Sequence, residues 1–278
     1  MGPVSSRGLV LSGGGVGGIA WLLGLINGLR DQGVDLTRPD VLVGTSAGAA
    51  VATQLATGQL DVAAAMQLDV ETAEIPVDFD GEAFAAEVTA LMADAGSRLE
   101  AVRRLANLEP RSGVAPGRRR AAVAARLPVR EWPGTPLRIV AVEQSTGRRQ
   151  TFDARSGVDL VDAVTASCAV PEVWPSVEIS GERYVDGGTW SGSNADLAEG
   201  ADRVVVLVPA ALQPETLDLL AAERESLAPA SSVVVAVDEE SLAAIGPNAL
   251  DPARRPLAYR AGWRQAGTEA AALRAFWV

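Results

Sequence analysis

The sequence contains no histidine and no lysine, and all 24 of its basic residues are arginine. Without histidine there can be no Ser–His–Asp triad, no Cys–His pair and no imidazole metal site. Without lysine there can be no Schiff base, no Ser–Lys dyad and no Walker-type phosphate loop. Proton transfer in any active site therefore falls to Asp, Glu, Tyr or water.

Cysteine and positive charge are also scarce. The single cysteine, Cys168, cannot form an intramolecular disulfide or a thiolate metal cluster, and we expect it to be a small buried side chain. The fold therefore does not depend on an oxidising compartment. The net charge of −11 argues against a nucleic-acid groove, so no nucleic-acid partner is expected. No cofactor and no metal are expected either.

No hydrophobic run in the sequence is long enough to span a bilayer. The stretch at residues 19–29 is apolar, but it contains Gly24, Asn27 and Gly28 and falls short of the ~20 apolar residues that a spanning helix needs. The N-terminal residues lack the basic segment and the long apolar segment of an export signal. We therefore expect a cytoplasmic protein, which could contact a membrane surface transiently.

Strand and helix patterns alternate along the chain, which at 278 residues can form one α/β domain over residues 1–278. They predict strands at residues 8–11, 41–43, 137–142, 149–152, 204–208 and 233–237, and helices at 19–30, 47–56 and 257–276. Residues 61–126 are rich in Ala, Glu, Leu and Arg at helical spacing, with breaks at 75–76 and 112–117, and predict a helical insert. Such alternation favours a largely parallel sheet covered on both faces.

The first chemical signal is the G-x-S-x-G sequence Gly44-Thr45-Ser46-Ala47-Gly48, which lies between a predicted strand and a predicted helix. In a nucleophile elbow this context forces the serine into a strained turn, and the glycines leave room for the turn and for the helix. The motif by itself leaves a second interpretation open, in which Ser46 only caps the helix.

The second signal is a glycine-rich segment at residues 12–18, directly after the first predicted strand. Backbone N–H groups of successive glycines can converge on an anion without obstruction by side chains. In acyl transfer that anion is the tetrahedral oxyanion. The segment therefore fits an oxyanion hole beside the elbow.

The same segment also matches the G-x-G-x-x-G dinucleotide fingerprint in a strand–turn–helix context. The acid that would bind the ribose about 20 residues further on is one of three aspartates, Asp31, Asp35 or Asp40. On this alternative the protein is a dinucleotide-binding oxidoreductase that uses Gly13 to Gly18, and Ser46 has no chemical role.

The third signal is Asp186-Gly187-Gly188, followed by Asn194 eight residues after the aspartate. A carboxylate within hydrogen-bond reach of a serine can accept its proton directly, and a partly desolvated aspartate is a stronger base than one in water. The two glycines would let the backbone pass close to the elbow. Because Asp-Gly is also a common hairpin turn, residues 181–188 could equally be no more than a hairpin.

Three consecutive arginines stand at residues 118–120, and Arg111 and Arg126 lie close to them in the sequence. Such a run could meet anionic lipid head groups. A charge run is more often a solvated helix end, and that is the expectation here.

A glycine-rich strand end, a G-x-S-x-G elbow, a later Asp-Gly-Gly and the absence of histidine together resemble the patatin-like phospholipase family. The resemblance covers residues 8–30, 41–57 and 137–209, and within the last stretch it includes 166–171, 174–175, 186–188 and 194–197. It does not cover the insert at 61–126. Many members carry Arg or Lys in the glycine loop at the position of Gly17, so this sequence lacks one positive charge there.

The resemblance implies a three-layer α/β/α sandwich with a mostly parallel central sheet and calcium-independent cleavage of acyl esters in lipids. It implies Ser46 as the nucleophile and Asp186 as the base of a dyad that forms an acyl-enzyme. The backbone amides of the glycine loop would form the oxyanion hole, with Gly13, Gly14 and Gly15 as candidates. Supporting roles fall to Gly44, Gly48, Gly187, Gly188 and Asn194. A catalytically inactive lipid-binding protein of the same fold is a further alternative.

Overall fold

The structure, a computed structural model, describes residues 5–211 and 214–277. Its strands form one eight-stranded sheet in the order β5-β6-β3-β2-β1-β7-β8, with β4 paired separately to β3. The strands are β1 (Arg7–Leu11), β2 (Val41–Thr45), β3 (Leu137–Glu143), β4 (Arg149–Phe152), β5 (Val177–Ile179), β6 (Glu182–Asp186), β7 (Arg203–Val208) and β8 (Ser231–Ala236).

Most of the sheet is parallel, as predicted. Strand β1 pairs in parallel with β2 and β7, β2 with β3, and β7 with β8. Antiparallel pairing is confined to the part of the sheet beyond β2. There β4 and β6 both run antiparallel to β3, and β5 runs antiparallel to β6. Because parallel strands end at the same edge of a sheet, the segments after β1 and β2 lie next to each other. The register places Leu11 beside Gly44, which brings the glycine-rich segment to the elbow.

The described helices cover both faces of the sheet. They are α1 (Gly15–Asp31), α2 (Ala47–Ala56), α3 (Leu60–Leu68), α4 (Gly81–Asp94), α5 (Arg98–Ala106), α6 (Pro116–Ala125), α7 (Leu160–Ser167), α8 (Pro214–Ser226), α9 (Glu239–Ile245) and α10 (Arg255–Trp277). Side chains alternate between the two faces along each strand. Leu9 and Leu11 of β1 belong to the large core that α1, α2 and α10 cover. Val10 points to the other face, where Leu220 of α8 joins the core. The fold is therefore the expected three-layer α/β/α sandwich.

Helices α3 to α6 occupy the insert predicted at residues 61–126, although residues 69–80 contain no helix. Helix α4 buries none of its residues. Helix α5 packs on the sheet, because its Val102 and Ala106 form one cluster with Val142 of β3 and Val185 of β6. The insert thus contacts the sheet through α5 and the main core through Val123 of α6.

One expectation about local structure and one alternative interpretation were wrong. Helix α1 was predicted from residue 19, but it begins at Gly15, so the second half of the glycine-rich segment forms the first helical turn. The alternative hairpin turn at 181–188 is not formed. The turn of the β5–β6 hairpin lies earlier, at Ser180 and Gly181 with φ of 55° and 88°, and Asp186 ends β6 just before a short 3₁₀ helix at Gly187–Thr189. Helices α8 and α9 were not predicted.

Within the described part of the chain, none of the helices combines the length and the apolar character that crossing a membrane requires.

Candidate active site

Ser46 occupies a sharp turn between β2 and α2. Its φ of 53° and ψ of −117° are unusual for a residue with a side chain, and such strain is typical of functional sites. The turn requires very close packing of the following helix. A Cβ at Gly48 would lie 1.8 Å from the carbonyl oxygen of Leu11, and one at Gly44 would lie 2.6 Å from Cα of Ala49. Only glycine fits at these two positions, so the local geometry is that of a nucleophile elbow.

Three consecutive residues at the C-terminal end of α7 hold the backbones of Ser46 and Asp186. The N–H of Ser46 donates to Oγ of Ser167 at 2.9 Å. The thiol of Cys168 donates to the carbonyl oxygen of Ser46 at 3.2 Å. The N–H of Asp186 donates to the carbonyl oxygen of Ala169 at 2.9 Å.

Sequence reasoning included this segment in the family resemblance but gave its residues no role. The available signal was a hydroxyl and a thiol side by side in an otherwise apolar stretch. Cys168 is buried as expected, and burial raises the pKa of its thiol to about 11, so the thiol stays protonated and can donate.

Asp186 lies at the end of β6 and is only 4% exposed. Its Oδ1 accepts the N–H of Gly188 at 2.7 Å. Its Oδ2 is buried without a hydrogen-bond partner among the described residues. Burial raises the pKa of Asp186 from 3.8 to about 6, although the Ser46 hydroxyl, the Gly188 N–H and the charge of Arg119 act in the opposite direction. Oδ1 is thus held in place by a hydrogen bond, and Oδ2 is free to accept one.

The register of the sheet explains how residues 140 positions apart in the sequence become neighbours. Thr45 pairs with Val140 of β3, and the next residue of β3, Ala141, pairs on the same side with Asp186, because β4 pairs with both Val140 and Ala141 on the other side. Ser46 follows Thr45 and therefore reaches the same level of the sheet as Asp186. The Ser46 hydroxyl is close enough to lower the pKa of Asp186. No hydrogen bond of full geometry joins them, a looseness that is common in catalytic pairs before substrate binds.

The glycine-rich segment presents open amides next to this pair. Gly14 is the N-cap of α1 and no side chain caps the helix, and the amides of Gly14 and Gly15 donate to no acceptor among the described residues. Gly13 differs, because its N–H donates to the carbonyl oxygen of Gly192 at 2.9 Å. A Cβ on Gly13 would lie 3.4 Å from Cβ of Ser46, so the segment passes directly over the serine. The amides available to an anion near Ser46 are those of Gly14 and Gly15.

The surroundings of the glycine-rich segment do not fit a dinucleotide. A Cβ on Gly14 would lie 2.5 Å from Cγ of Pro209, and one on Gly15 would lie 2.6 Å from the carbonyl oxygen of Ala249. Protein backbone and a proline ring therefore pack against these two glycines, and the pocket that Gly15 and Ser46 line has a free volume of only about 10 Å³, which holds about one oxygen atom and not a pyrophosphate.

The three candidate ribose-binding acids are also at the wrong end of the sheet. Asp40 directly precedes β2, and its N–H donates to the carbonyl oxygen of Arg7 at the start of β1. Asp31 ends α1, and Asp35 follows it and accepts from Thr37. All three lie away from the carboxyl edge where the glycines lie, whereas a ribose-binding acid should share that edge.

Asn194 ties the Asp-Gly-Gly turn to the strand that carries Ser46. It is fully buried in a left-handed conformation, with φ of 53° and ψ of 40°. Its Nδ2 donates to Oγ1 of Thr45 at 3.0 Å and to the carbonyl oxygen of Gly187 at 3.4 Å. Asn194 therefore bridges the residue before Ser46 and the residue after Asp186. Gly187 lies against β3 so closely that a Cβ there would be 2.4 Å from the carbonyl oxygen of Val140.

Ser46 lines a small pocket with a free volume of about 10 Å³. A larger cavity of about 420 Å³ lies beside it, and Ile19 and Arg126 line both. In the shared wall, the guanidinium of Arg126 donates twice to the carboxylate of Glu74, each time at 2.6 Å. Burial raises the pKa of Glu74, but the charge and hydrogen bonds of Arg126 outweigh burial and hold it below its ordinary value. The pair is thus ionised and bidentate.

The expectation that the arginine run is a solvated helix end was wrong for two of its members. Arg118 and Arg120 are exposed on α6, but Arg119 is only 3% exposed and Arg126 only 7%. Helical periodicity is the physical reason, because consecutive residues point in different directions and Arg119 points inward. A charge run in the sequence gives no sign of which arginine is buried.

A serine at a strand-to-helix elbow of a mostly parallel α/β/α sheet defines the class of α/β proteins in which acyl hydrolases recur. Comparison with known families identifies the family. The chain belongs to the patatin-like phospholipase family, whose model matches residues 9–199. It is thereby assigned to the lipid hydrolases in general.

Similar chains among the solved structures include VipD and ExoU. VipD from Legionella pneumophila is 15% identical, with a TM-score of 0.47, over 97% of this chain and 67% of VipD. The type III effector protein ExoU is 20% identical, with a TM-score of 0.40, over 95% of this chain and 54% of ExoU. The protein therefore spans between about half and two thirds of their lengths. A comparison with curated protein sequences gave no match. The assignment to the family rests on the match to the family model.

Proposed function

We propose that this protein is a serine acyl-ester hydrolase that acts on lipids through a Ser46–Asp186 dyad and an acyl-enzyme intermediate. The observation that carries the proposal is the buried carboxylate of Asp186 next to Ser46, with Oδ2 unpaired and a pKa raised to about 6. A base with a pKa slightly below neutral is ionised at pH 7 and still accepts a proton readily. Among the described residues around Ser46, no other side chain is suited to that task.

In the first half of the reaction, Oδ2 of Asp186 accepts the Ser46 proton while Oγ forms a bond to the ester carbonyl carbon. The amides of Gly14 and Gly15 donate to the oxyanion, helped by the N-terminus of α1, of which Gly15 is the first residue. When the intermediate collapses, the bond to the alcohol oxygen breaks and Asp186 returns the proton to the leaving alcohol. Ser46 is then acylated.

In the second half, Asp186 accepts a proton from water, and the water oxygen attacks the acyl carbon. The bond to Oγ breaks, Asp186 protonates Ser46, and the carboxylic acid leaves. The strained turn at Ser46 and the contacts from Ser167 and Cys168 hold the nucleophile in one position throughout.

The proposal is tested by covalent labelling with a fluorophosphonate probe. We expect the wild type to be labelled and Ser46→Ala and Asp186→Asn to remain unlabelled while staying folded. Ser145→Ala and Asp78→Asn change an exposed serine and an exposed aspartate and serve as matched controls, which should label like the wild type.

Labelling of Ser46→Ala, or full labelling of Asp186→Asn, would contradict the dyad. A folded wild type that takes up no probe and releases no fatty acid from esters of graded chain length would contradict the hydrolase. Lipid binding retained by such a protein would then favour the inactive lipid-binding alternative.

A further inference from the structure

Arg119 is a buried guanidinium with unused hydrogen-bond donors beside the candidate active site. Arg119 is only 3% exposed, and its Nε and Nη1 have no hydrogen-bond partner among the described residues. Nη2 donates at 3.4 Å to the carbonyl oxygen of Cys168. The guanidinium lies over the ring of Trp174, 3.9 Å from its centroid. Arg119, Trp174 and Ser46 line the same small pocket.

The charge of Arg119 is not neutralised by a carboxylate in contact with it. Among the described residues, Arg119 forms no ion pair, whereas Arg126 on the same wall is matched by Glu74. Burial and the charge of Arg126 lower the pKa of Arg119 to about 10, so the guanidinium is still charged at neutral pH. Asp186 and Glu74 act on this charge only from a distance. A buried cation without a carboxylate in contact is costly, and proteins keep such groups where a ligand supplies the missing contact.

The other open polar groups at this pocket are mainly donors. The indole Nε1 of Trp174 is also buried without a partner among the described residues. Gly15, whose amide is open, lines the pocket as well. A cluster of donors around a cation accepts an anion, and an arginine with two free N–H directions suits the oxygens of a phosphate or carboxylate.

We propose that Arg119 binds an anionic oxygen of the substrate, so that the preferred substrates are acyl esters with a phosphate or carboxylate close to the scissile ester. This inference rests on the proposed function, because it names the substrate class of the same site. The free volume of about 10 Å³ matches about one oxygen atom, so only the terminal oxygen of the anionic group is expected to enter.

The test compares three esters with the same acyl chain: hexanoylglycerol, hexanoylglycerol phosphate and hexanoylglycerate. The first is neutral, the second carries a phosphate and the third a carboxylate. We expect Arg119→Gln to lower kcat/KM for the preferred anionic ester by roughly 10- to 100-fold more than for the neutral ester, the range expected for one charge-assisted hydrogen bond to a buried ion. Of the two anionic esters, the one whose kcat/KM falls more in Arg119→Gln shows whether the site prefers a phosphate or a carboxylate.

Two variants control for folding and for charge. Arg120→Gln removes the neighbouring arginine on α6, which is exposed and pairs with Asp159 and Asp162, and it should leave all three rates unchanged. Arg119→Lys keeps the charge but loses the planar fork, and it should recover part of the preference for the anionic ester. If Arg119→Gln lowers kcat/KM equally for neutral and anionic esters and shifts the pH profile, the proposal is overturned. The role of Arg119 would then be to keep Asp186 ionised.

Binding of hexyl phosphate, measured by thermal shift, separates this inference from the proposed function because it requires no turnover. Stabilisation of the wild type and of Arg120→Gln, but not of Arg119→Gln, supports the anion site even if no ester is hydrolysed. Ester hydrolysis without preference for charge, and without stabilisation by hexyl phosphate, would overturn the anion site and leave the hydrolase intact.

Discussion

Replacing Asp186 by asparagine should abolish activity and at the same time stabilise the protein at neutral pH. The carboxylate is buried, and its pKa rises from 3.8 to about 6 on folding. A group with a raised pKa contributes stability that is fully present below its unfolded pKa and is lost as the pH rises through the folded pKa. Wild-type stability should therefore fall between pH 3.8 and about 6, and asparagine, which does not ionise, should remove this loss.

The magnitude follows from the size of the shift. A shift of about two pKa units corresponds to about 3 kcal/mol in the free energy of unfolding at about pH 8, where Asp186 is ionised in both states. At about pH 4.5 the folded state is protonated and the unfolded state is only partly ionised, so the loss falls to about 1 kcal/mol. The Gly188 N–H that donates to Oδ1 keeps an acceptor in asparagine, so the change of shape is small.

The assay is urea unfolding of the wild type and Asp186→Asn, followed by tryptophan fluorescence at about pH 4.5 and about pH 8. The stability advantage of Asp186→Asn should grow by about 2 kcal/mol between the two pH values. Asp78→Asn, which changes an exposed carboxylate, should show no such growth. An advantage that is independent of pH, or a variant that is less stable at about pH 8, would refute a buried ionised carboxylate at this position.

Three further predictions concern the turn and the dyad. Asp186 as the base predicts that kcat/KM rises about tenfold per pH unit below about pH 6 and is level above it, and a profile that is flat down to about pH 4 would contradict this role. Ser167→Ala leaves the buried N–H of Ser46 without its acceptor, so the free energy of unfolding should fall by about 1–3 kcal/mol and kcat in an esterase assay should also fall. An unchanged stability and an unchanged kcat would exclude a positioning role for Ser167. Gly48→Ala should prevent soluble expression, because its Cβ would lie 1.8 Å from a carbonyl oxygen of β1, whereas Gly267→Ala in open space on α10 should express normally and gain up to about 1 kcal/mol.

Several parts of the protein could be predicted from the sequence because their signals are local. Buried strands such as β2 and β7 are apolar runs between turn residues, and the elbow is five consecutive residues between a strand and a helix. The absence of histidine removes the commonest partner of a catalytic serine, which leaves a carboxylate as the leading candidate for the base. The three-layer sandwich followed from the alternation of strands and helices together with the family resemblance.

The start of α1 was predicted four residues late because glycine has a low intrinsic preference for helix. In the structure Gly17 donates to the carbonyl oxygen of Ala249, and Gly17 lies against Ile245, whose Cγ2 would be 2.8 Å from a Cβ there. Contacts with distant segments thus hold these glycines in a helical turn. Local propensity carries no information about such contacts.

The sequence by itself determined the chemistry that is available: a serine in an elbow, a carboxylate as the leading candidate for its base, and glycine amides for an anion. Tertiary structure decided which of these groups meet. Asp186 reaches Ser46 because β2 and β6 pair with successive residues of β3 on the same side, and Gly13 donates its amide N–H to Gly192. Arg119, which the sequence presents as one arginine in a run, is buried beside Ser46. Pairing and burial depend on contacts between residues far apart in the chain, whereas sequence patterns report only on neighbours.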